Sequence, residues 1–499
     1  MKRIDQLTFT RFIAIIVVLF FHGSGGLYRQ MLGTFLPPAL LVSATTSVTY
    51  LYVLSGFVMS LVYYRPQEKF AIGKYWNSRI LRLYPLYLIS FLLTCYYYID
   101  FIARVKPQKI LVNVFVLQAW YPPYAQSFNY ASWSMTVEFF FYAIFPFFMM
   151  WAYRQPTKKL IWVSVALWAF SQTVHNILWI RYFPDNENFL VYFPLFHLSS
   201  FILGAVSGIW FLREGRGQVV KPRTSLLVFW GSVLLAAVYI VVSSNSTRMP
   251  NHLELMTGLL APVLTVTIAA LALDKSRLST LFNYPALVTL GDTSYGLYIL
   301  HVPFIWIYQR ALENSSLANP KLIFDYTFLP LMIGAGLLIH FYVDSPLRNW
   351  LKKILQRVSL PLLVLDLAII ALSIYLSFRL RFDSNREFAS YRSMALLMFW
   401  SAFVLRTVFS VGFNALNPIN FYGTLVQFVR PVLISVTVGS LVIAGIILVG
   451  YSLGSFENYP RGVFVIEWAL ILGLSLGVRF IFRFLGQLLA RRIPVIQSK

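Results

Sequence analysis

Apolar stretches of about 18 residues or more recur along the whole chain, separated by short segments rich in Lys and Arg. A backbone inside hydrocarbon must satisfy its own N–H and C=O groups, so these stretches are expected to be membrane-crossing helices. The expected fold is therefore an all-α, polytopic integral membrane protein. Composition agrees: 58% of the 499 residues are hydrophobic and only 12% are charged, where a soluble domain carries about 25%. The net charge of +23 invites a nucleic-acid reading. The cations, however, sit in short loops between apolar runs, where they mark the cytoplasmic side. No soluble segment is long enough to hold a nucleic-acid domain. The lone cysteine, Cys95, excludes a disulfide within the chain and a Cys-based metal site. Lys2 and Arg3 precede the first apolar run, but no small-residue cleavage site follows, so a cleavable signal peptide is not expected.

Taken in order, the first span runs from about Phe12 to Leu27, entered from the cytoplasm, and is followed by a short outer loop with Pro37 and Pro38. The second covers Ser47–Tyr64. Arg65, Lys69, Lys74, Arg79 and Arg82 place the next loop inside. The third span is Tyr84–Ala103. Ile110–Trp120 is apolar but too short to cross, and reads as an outer or re-entrant segment. Further spans are expected from Trp133 to before Arg154, then at Leu160–Ile180, Phe193–Leu212, Leu226–Val242, Met256–Leu273, Leu287–Tyr308 and Phe328–Val343. That makes ten spans, both ends inside, closed by the basic turn Arg348, Lys352, Lys353, Arg357. Residues 1–355 form this first module. A second, 360–499, carries four more spans at Leu362–Phe378, Ala395–Val411, Pro431–Tyr451 and Val463–Ile481, and its tail is also expected inside. Gly473 and Gly477 make a GxxxG on the last span, which predicts close helix packing.

Ionisable residues within apolar spans are expensive and point to function. In DQLTFTRFIAIIVVLFFH, Arg11 and His22 are eleven residues apart. That is three turns plus about 20°, so both lie on one helix face, Arg11 about 16 Å below His22. Snorkelling of Arg11 and a loop-capping role for His22 explain the pair equally well on their own. Arg79 and Arg82, at i,i+3, suit a polyphosphate, because each guanidinium can fork onto phosphate oxygens. The positive-inside rule alone would also put arginines there. Glu138 lies just inside a span, five residues after Trp133, with Tyr142 one turn on. It reads as a carboxylate that pairs with an Arg or His of another helix, and His22 is the partner that would also give it a catalytic role. His301 is a second intramembrane histidine, with Asp292 and Ser294 earlier on the same run. His197 and His340 are further candidates, each as readily a helix-contact histidine. GYSLG, Gly450–Gly454, matches the GxSxG string but ends a membrane helix with no strand before it, so it is read as chance. No metal-ligand spacing and no GxGxxG after a strand is present.

Five motifs together resemble the acyltransferase family 3 integral-membrane acyltransferases: RFIAIIVVLFFH, YVLSGFVMS, RILRLYP, NYASWSMTVEFFFYAIFP and GDTSYGLYILHVPF. They occur in the family's order over about 345 residues. The resemblance implies a ten-span enzyme that moves an acyl group, usually acetyl, from cytoplasmic acyl-CoA to a hydroxyl of a surface glycan or lipid-linked polysaccharide intermediate. It implies that Arg11 and His22 are the family's essential pair, Arg79 and Arg82 its RxxR, and Trp133 to Glu138, Ser134 included, its outer motif. Asp5 and His301 fall in weaker blocks. The expected mechanism docks the donor's phosphates near Arg79, Arg82 and Arg11, with His22 as general base and Glu138 orienting it. Acyl-CoA is a co-substrate; no tightly bound cofactor and no metal are expected. The expected location is the bacterial plasma membrane. The second module, with LVLDLAIIALSIYLSFRLRFD and PRGVFVIEWALILGLSLGVRFIFR, is similar to the four-span anchor of nucleotide-sugar dehydratases and epimerases of polysaccharide synthesis, without their Rossmann domain. It is also readable as a docking module for polysaccharide-assembly proteins. The competing class is a transporter or flippase for a lipid-linked glycan or acyl metabolite, which would use the same buried Arg, His and Glu.

Overall fold

The computed structural model describes residues 4–23, 26–68, 70–98, 105–218, 220–245, 258–355, 358, 360–382, 391–417, 424–452 and 461–492. Lys2, Arg3, Lys69, Ala103, Met256, Arg357 and Gly454, named above, lie outside them. Among the described residues the regular structure is entirely helical, with no strand. The chain divides into two compact units, Met1–Arg348 and Asn349–Lys499.

Ten helices of the first unit overlap the ten expected spans: α1 (Gln6–Phe21), α2 (Ala44–Tyr63), α3 (Ile72–Tyr97), α4 (Trp133–Ala152), α5 (Thr157–Tyr182), α6 (Pro194–Trp210), α7 (Pro222–Asn245), α8 (Ala261–Leu273), α9 (Pro285–Glu313) and α10 (Pro320–Ile339). Proline stands in the first turn of α6, α8, α9 and α10, where its missing N–H breaks no helical bond. The Ile110–Trp120 stretch does not cross: it is an eight-residue helix, Pro107–Val114, followed by 3-10 turns. Across the described residues, eight helices are long and apolar enough to span a bilayer, while α1 and α8 are shorter apolar helices. The chain is a multi-pass membrane protein.

Two devices hold this bundle where apolar burial cannot, since lipid is as apolar as leucine. The first is glycine. Gly56 of α2 faces the Phe201 carbonyl of α6, and Gly204 of α6 faces the Val53 carbonyl of α2. A Cβ at either position would collide with that backbone, so the two helices touch backbone to backbone. Gly291 brings α9 against the Thr8 carbonyl of α1 in the same way. Gly204→Val is therefore expected to abolish accumulation of folded protein. Gly231→Val, where a Cβ meets nothing within 4 Å, should be tolerated. Size-exclusion profiles of a fluorescently tagged protein in detergent would compare the two.

The second device is proline inside helices. Each such proline strips the N–H that would bond the carbonyl four residues back, and in lipid that carbonyl must find another donor. Pro146 frees Tyr142 O, which accepts from Trp76 Nε1 of α3 at 3.1 Å. Pro330 frees Tyr326 O, which accepts from the Tyr28 hydroxyl at 3.0 Å. Pro303 frees Ile299 O, which accepts from Ser90 Oγ at 2.7 Å and Asn129 Nδ2 at 2.8 Å. The last of these pins α9, two residues before His301, to α3 and to the segment leading into α4.

The second unit has four long helices: α11 (Leu360–Arg381), α12 (Arg392–Gly412), α13 (Leu425–Ser452) and α14 (Arg461–Arg492). Each packs on the next, and α14 returns to α11. Two buried ion pairs tie the last helix to the others. Arg479 and Asp366 form an ion pair, Nη2 donating to Oδ2 at 2.7 Å with Nη1 2.7 Å from Oδ1. Arg406 Nη2 lies 2.5 Å from Glu467 Oε2, with Ser373 Oγ donating to Oε1 at 3.2 Å and the guanidinium donating to Ser440 Oγ at 2.9 Å. Gly439 leaves room for the Arg406 stem, which would stand 3.2 Å from a Cβ there. The close packing expected at Gly473 and Gly477 is not found: a Cβ at either would meet nothing within 4 Å among the described residues. Charge, rather than small residues, fixes α14.

Candidate active site

The RxxR spacing puts Arg79 and Arg82 on one face of α3, and that face opens on a cavity of about 120 Å³ inside the first unit. Arg11 of α1, Glu138 and Tyr142 of α4 and Tyr298 of α9 line it too. A second cavity, of about 500 Å³, shares Arg11, Val58, Arg82, Asp292 and Tyr295 with the first, so the two adjoin. It adds Arg65, His340, Asp344 and Arg348. Asp344 lies in a π-helical turn after α10 and pairs with Arg348 Nη2 at 2.8 Å. Four arginines against two carboxylates make this mouth strongly cationic.

Arg79 is held in place by aromatic residues. Its Nη2 donates to the Tyr63 hydroxyl at 2.8 Å, and its guanidinium lies 5.1 Å from the Tyr63 ring and 5.8 Å from the Tyr142 ring. Tyr142 in turn donates its hydroxyl to Glu138 Oε1 at 2.5 Å, and Ser55 Oγ donates to the same oxygen at 3.4 Å. Glu138 is thus engaged one helical turn along α4 with Tyr142, as the i,i+4 spacing predicts.

His22 caps the far end of α1. The expected partnership with Glu138 is not what the structure shows. Glu138 sits about 7.5 Å into α4 and faces the arginines, whereas His22 is level with Tyr130, which precedes that helix, at a ring separation of 4.9 Å. The partner of His22 is His301: Nδ1 of His22 lies 3.0 Å from Nε2 of His301, and the rings stack at 4.9 Å. His301 is fully buried, and its Nδ1 lies 2.6 Å from the Tyr298 carbonyl. A carbonyl only accepts, so His301 Nδ1 carries a proton and its Nε2 offers a lone pair. His22 must then donate from Nδ1, which leaves the lone pair on its own Nε2. The network thus holds His22 as its Nδ1–H tautomer, with His301 fixing the ring's orientation.

The other sequence candidates fall into two sets. Ser134 lines the cavity and donates to the Ala131 carbonyl at 3.1 Å, as does the Tyr298 hydroxyl at 3.0 Å. Asp292 and Ser294 line it as well. Trp133 stands behind the wall, its ring against Tyr192 and His197 at 4.9 and 5.3 Å. His197 is a packing histidine, buried, with Nε2 on the Val191 carbonyl at 2.9 Å. Asp5 precedes α1 at the N-cap position, without a side-chain cap bond, and lines neither cavity. Ser452, of the GxSxG string, donates to Leu448 O at 2.9 Å at an exposed helix end. Among the described residues no group of three or more His, Cys, Asp or Glu is placed to hold a metal ion. The sequence reading missed Tyr130 and Tyr298. Tyr298 was visible as the residue three before His301, on its face of the helix.

Comparison with known proteins gives a consistent result. The family pattern described as an acyltransferase domain matches residues 4–340. Acyltransferase MdmB of Streptomyces mycarofaciens is 25% identical over 383 residues, 70% of this chain and 93% of that protein. Peptidoglycan O-acetyltransferase OatA of Listeria monocytogenes is 22% identical over 334 residues, 62% of this chain. O-acetyltransferase OatA of Staphylococcus aureus is 25% identical over 323 residues, 60% of this chain. The chain matches 51% of the length of each of these two. No solved structure matches.

Proposed function

The chain belongs to the acyltransferase family whose domain spans residues 4–340 and is a membrane O-acyltransferase, and we propose that it carries an acyl group from cytoplasmic acyl-CoA to a glycan hydroxyl presented from the other face of the bacterial plasma membrane. In this reading the arginine mouth and both chain ends face the cytoplasm, where Lys and Arg concentrate. The observation that carries it is the cavity: Arg11, Arg79 and Arg82 share one space within the bundle, lined also by Tyr298, one turn before His301 on α9, while His22 and His301 themselves lie outside its lining. A phosphate-bearing donor with a long arm fits such a site. Its phosphates meet guanidiniums at the mouth, and its thioester end points toward the histidines.

The chemistry follows from the tautomer. Nε2 of His22 takes the proton of the acceptor hydroxyl as its oxygen attacks the thioester carbonyl carbon. The carbon–sulfur bond breaks, the new ester stays on the acceptor, and the thiolate leaves with the proton that His22 returns. While charged, His22 keeps its Nδ1–H on His301 Nε2, so the imidazolium is stabilised by a neutral acceptor. Much of the acceleration is positioning of two substrates brought from opposite sides. The glycan acceptor rests on the likeness to the peptidoglycan O-acetyltransferase of Listeria monocytogenes. The resemblance of residues 360–499 to a dehydratase anchor supports the same setting of surface-polysaccharide assembly.

The test is transfer from radiolabelled acetyl-CoA by purified protein in vesicles with a polysaccharide acceptor. Label appearing as an ester on the glycan supports the reading; an intact thioester carried across the vesicle overturns it. Arg82→Ala is expected to raise the KM for acetyl-CoA by about ten- to hundredfold with kcat nearly unchanged. That is the worth of one charge-assisted hydrogen bond, ~1.5–3 kcal/mol.

A further inference from the structure

Tyr52 of α2 lines the same cavity, yet its hydroxyl has no hydrogen-bond partner among the described residues. The side chain is only 4% exposed. Its ring is fixed edge-on against Phe141 at 5.1 Å and His197 at 5.4 Å, so the hydroxyl cannot turn away to find a partner elsewhere. A buried donor left unpaired destabilises the fold by its full desolvation cost. Phenylalanine would fill the place without that cost. The hydroxyls around it differ: Tyr298, Ser134 and Tyr142 are each satisfied within the protein. Tyr52 is a pre-positioned, unused donor beside the cavity.

We propose that the Tyr52 hydroxyl donates a hydrogen bond to a carbonyl oxygen of the acyl donor, an amide of its arm or the thioester itself. Resting on the acyl-CoA reading above, the assignment names a group for the donor's uncharged half, which the arginines do not touch. An amide or thioester oxygen is an acceptor with no donor of its own, and Tyr52 is its complement. If the thioester oxygen is the partner, the bond strengthens as negative charge develops there, and Tyr52 supplies stabilisation of the oxyanion.

The test compares Tyr52→Phe with Thr46→Val. Thr46 is on the same helix, its hydroxyl is also buried and unpartnered, and it lines neither cavity. Both variants should match or exceed the wild type in melting temperature. Only Tyr52→Phe should lose transfer, by about ten- to a thousandfold in kcat/KM. Loss in kcat with unchanged binding of free CoA assigns the thioester oxygen; weakened binding of free CoA with kcat retained assigns an amide. Wild-type kcat and KM in Tyr52→Phe, beside an active wild type, would overturn the assignment and leave the donor reading standing. A wild type that neither binds nor consumes acetyl-CoA would overturn both.

Discussion

His22→Ala should abolish acyl transfer while the protein still folds and inserts. His22 ends α1 half-buried, against Tyr130 and His301, so truncation removes one contact at a helix end and leaves the helix packing below it in place. It also removes the Nε2 lone pair, which the bonds to His301 and on to the Tyr298 carbonyl leave uncommitted among the described residues. Loss of a general base lowers turnover by about 10²–10⁴-fold, and transfer to the acceptor should fall at least into that range. His301→Ala should lose less. It leaves the base in place but frees it to adopt the other tautomer and to rotate. His301→Gln, whose side-chain oxygen can accept from His22 Nδ1, should recover part of that loss. The measurements are initial rates with saturating acetyl-CoA, beside melting curves for each variant. Wild-type turnover in a folded His22→Ala protein would take the imidazole out of the chemistry. Failure of His301→Gln to exceed His301→Ala would remove the orienting role.

Much of this arrangement was legible in the chain. Ten apolar runs with basic loops fixed the helices of the first unit, because length and hydropathy are local properties. Spacing alone put Arg79 beside Arg82, and Glu138 beside Tyr142, because i,i+3 and i,i+4 relations survive folding. What could not be read was which helix stands next to which. Glu138 was matched to His22 because both are buried and ionisable. The neighbour was decided instead by depth: α4 begins level with His22, and Glu138 lies further in, at the arginines. The proline anchors show the same divide. Pro146, Pro303 and Pro330 announce three freed carbonyls, but nothing local says that Trp76, Asn129 and Tyr28 supply the donors. In the second unit a GxxxG pattern suggested the packing surface, and the structure instead uses Asp366, Arg406, Glu467 and Arg479, partners 61 and 113 residues apart. Pairing at that separation leaves no local periodicity to detect.

Those two pairs carry the other large expected effect. Glu467 is 1% exposed and Arg406 is 3% exposed. Glu467→Ala would leave a guanidinium inside the second unit whose remaining partners among the described residues are Ser440 Oγ and the Val436 carbonyl, at 2.9 and 3.5 Å. Breaking a buried pair from one side costs about 3–5 kcal/mol, because the surviving charge is uncompensated. For a membrane helix the alternative of solvating that charge in lipid is no cheaper. The expected result is a second unit that no longer assembles: α14 becomes accessible to protease, and the melting transition of the full-length protein in detergent falls or splits. The double variant Arg406→Leu, Glu467→Leu removes both charges and keeps apolar bulk at the crossing. It should recover most of the lost stability, since replacing a whole buried pair with apolar side chains is often neutral or better. Asp366→Ala should act in the same direction as Glu467→Ala, because the Arg479 guanidinium it would leave behind is 1% exposed. If the single variants melt like the wild type, the pairs do not hold α14. If the double variant is as damaged as Glu467→Ala, the charges are required for themselves rather than for cancelling one another. That result would make the interior of this four-helix unit a working ionic site instead of a structural clasp.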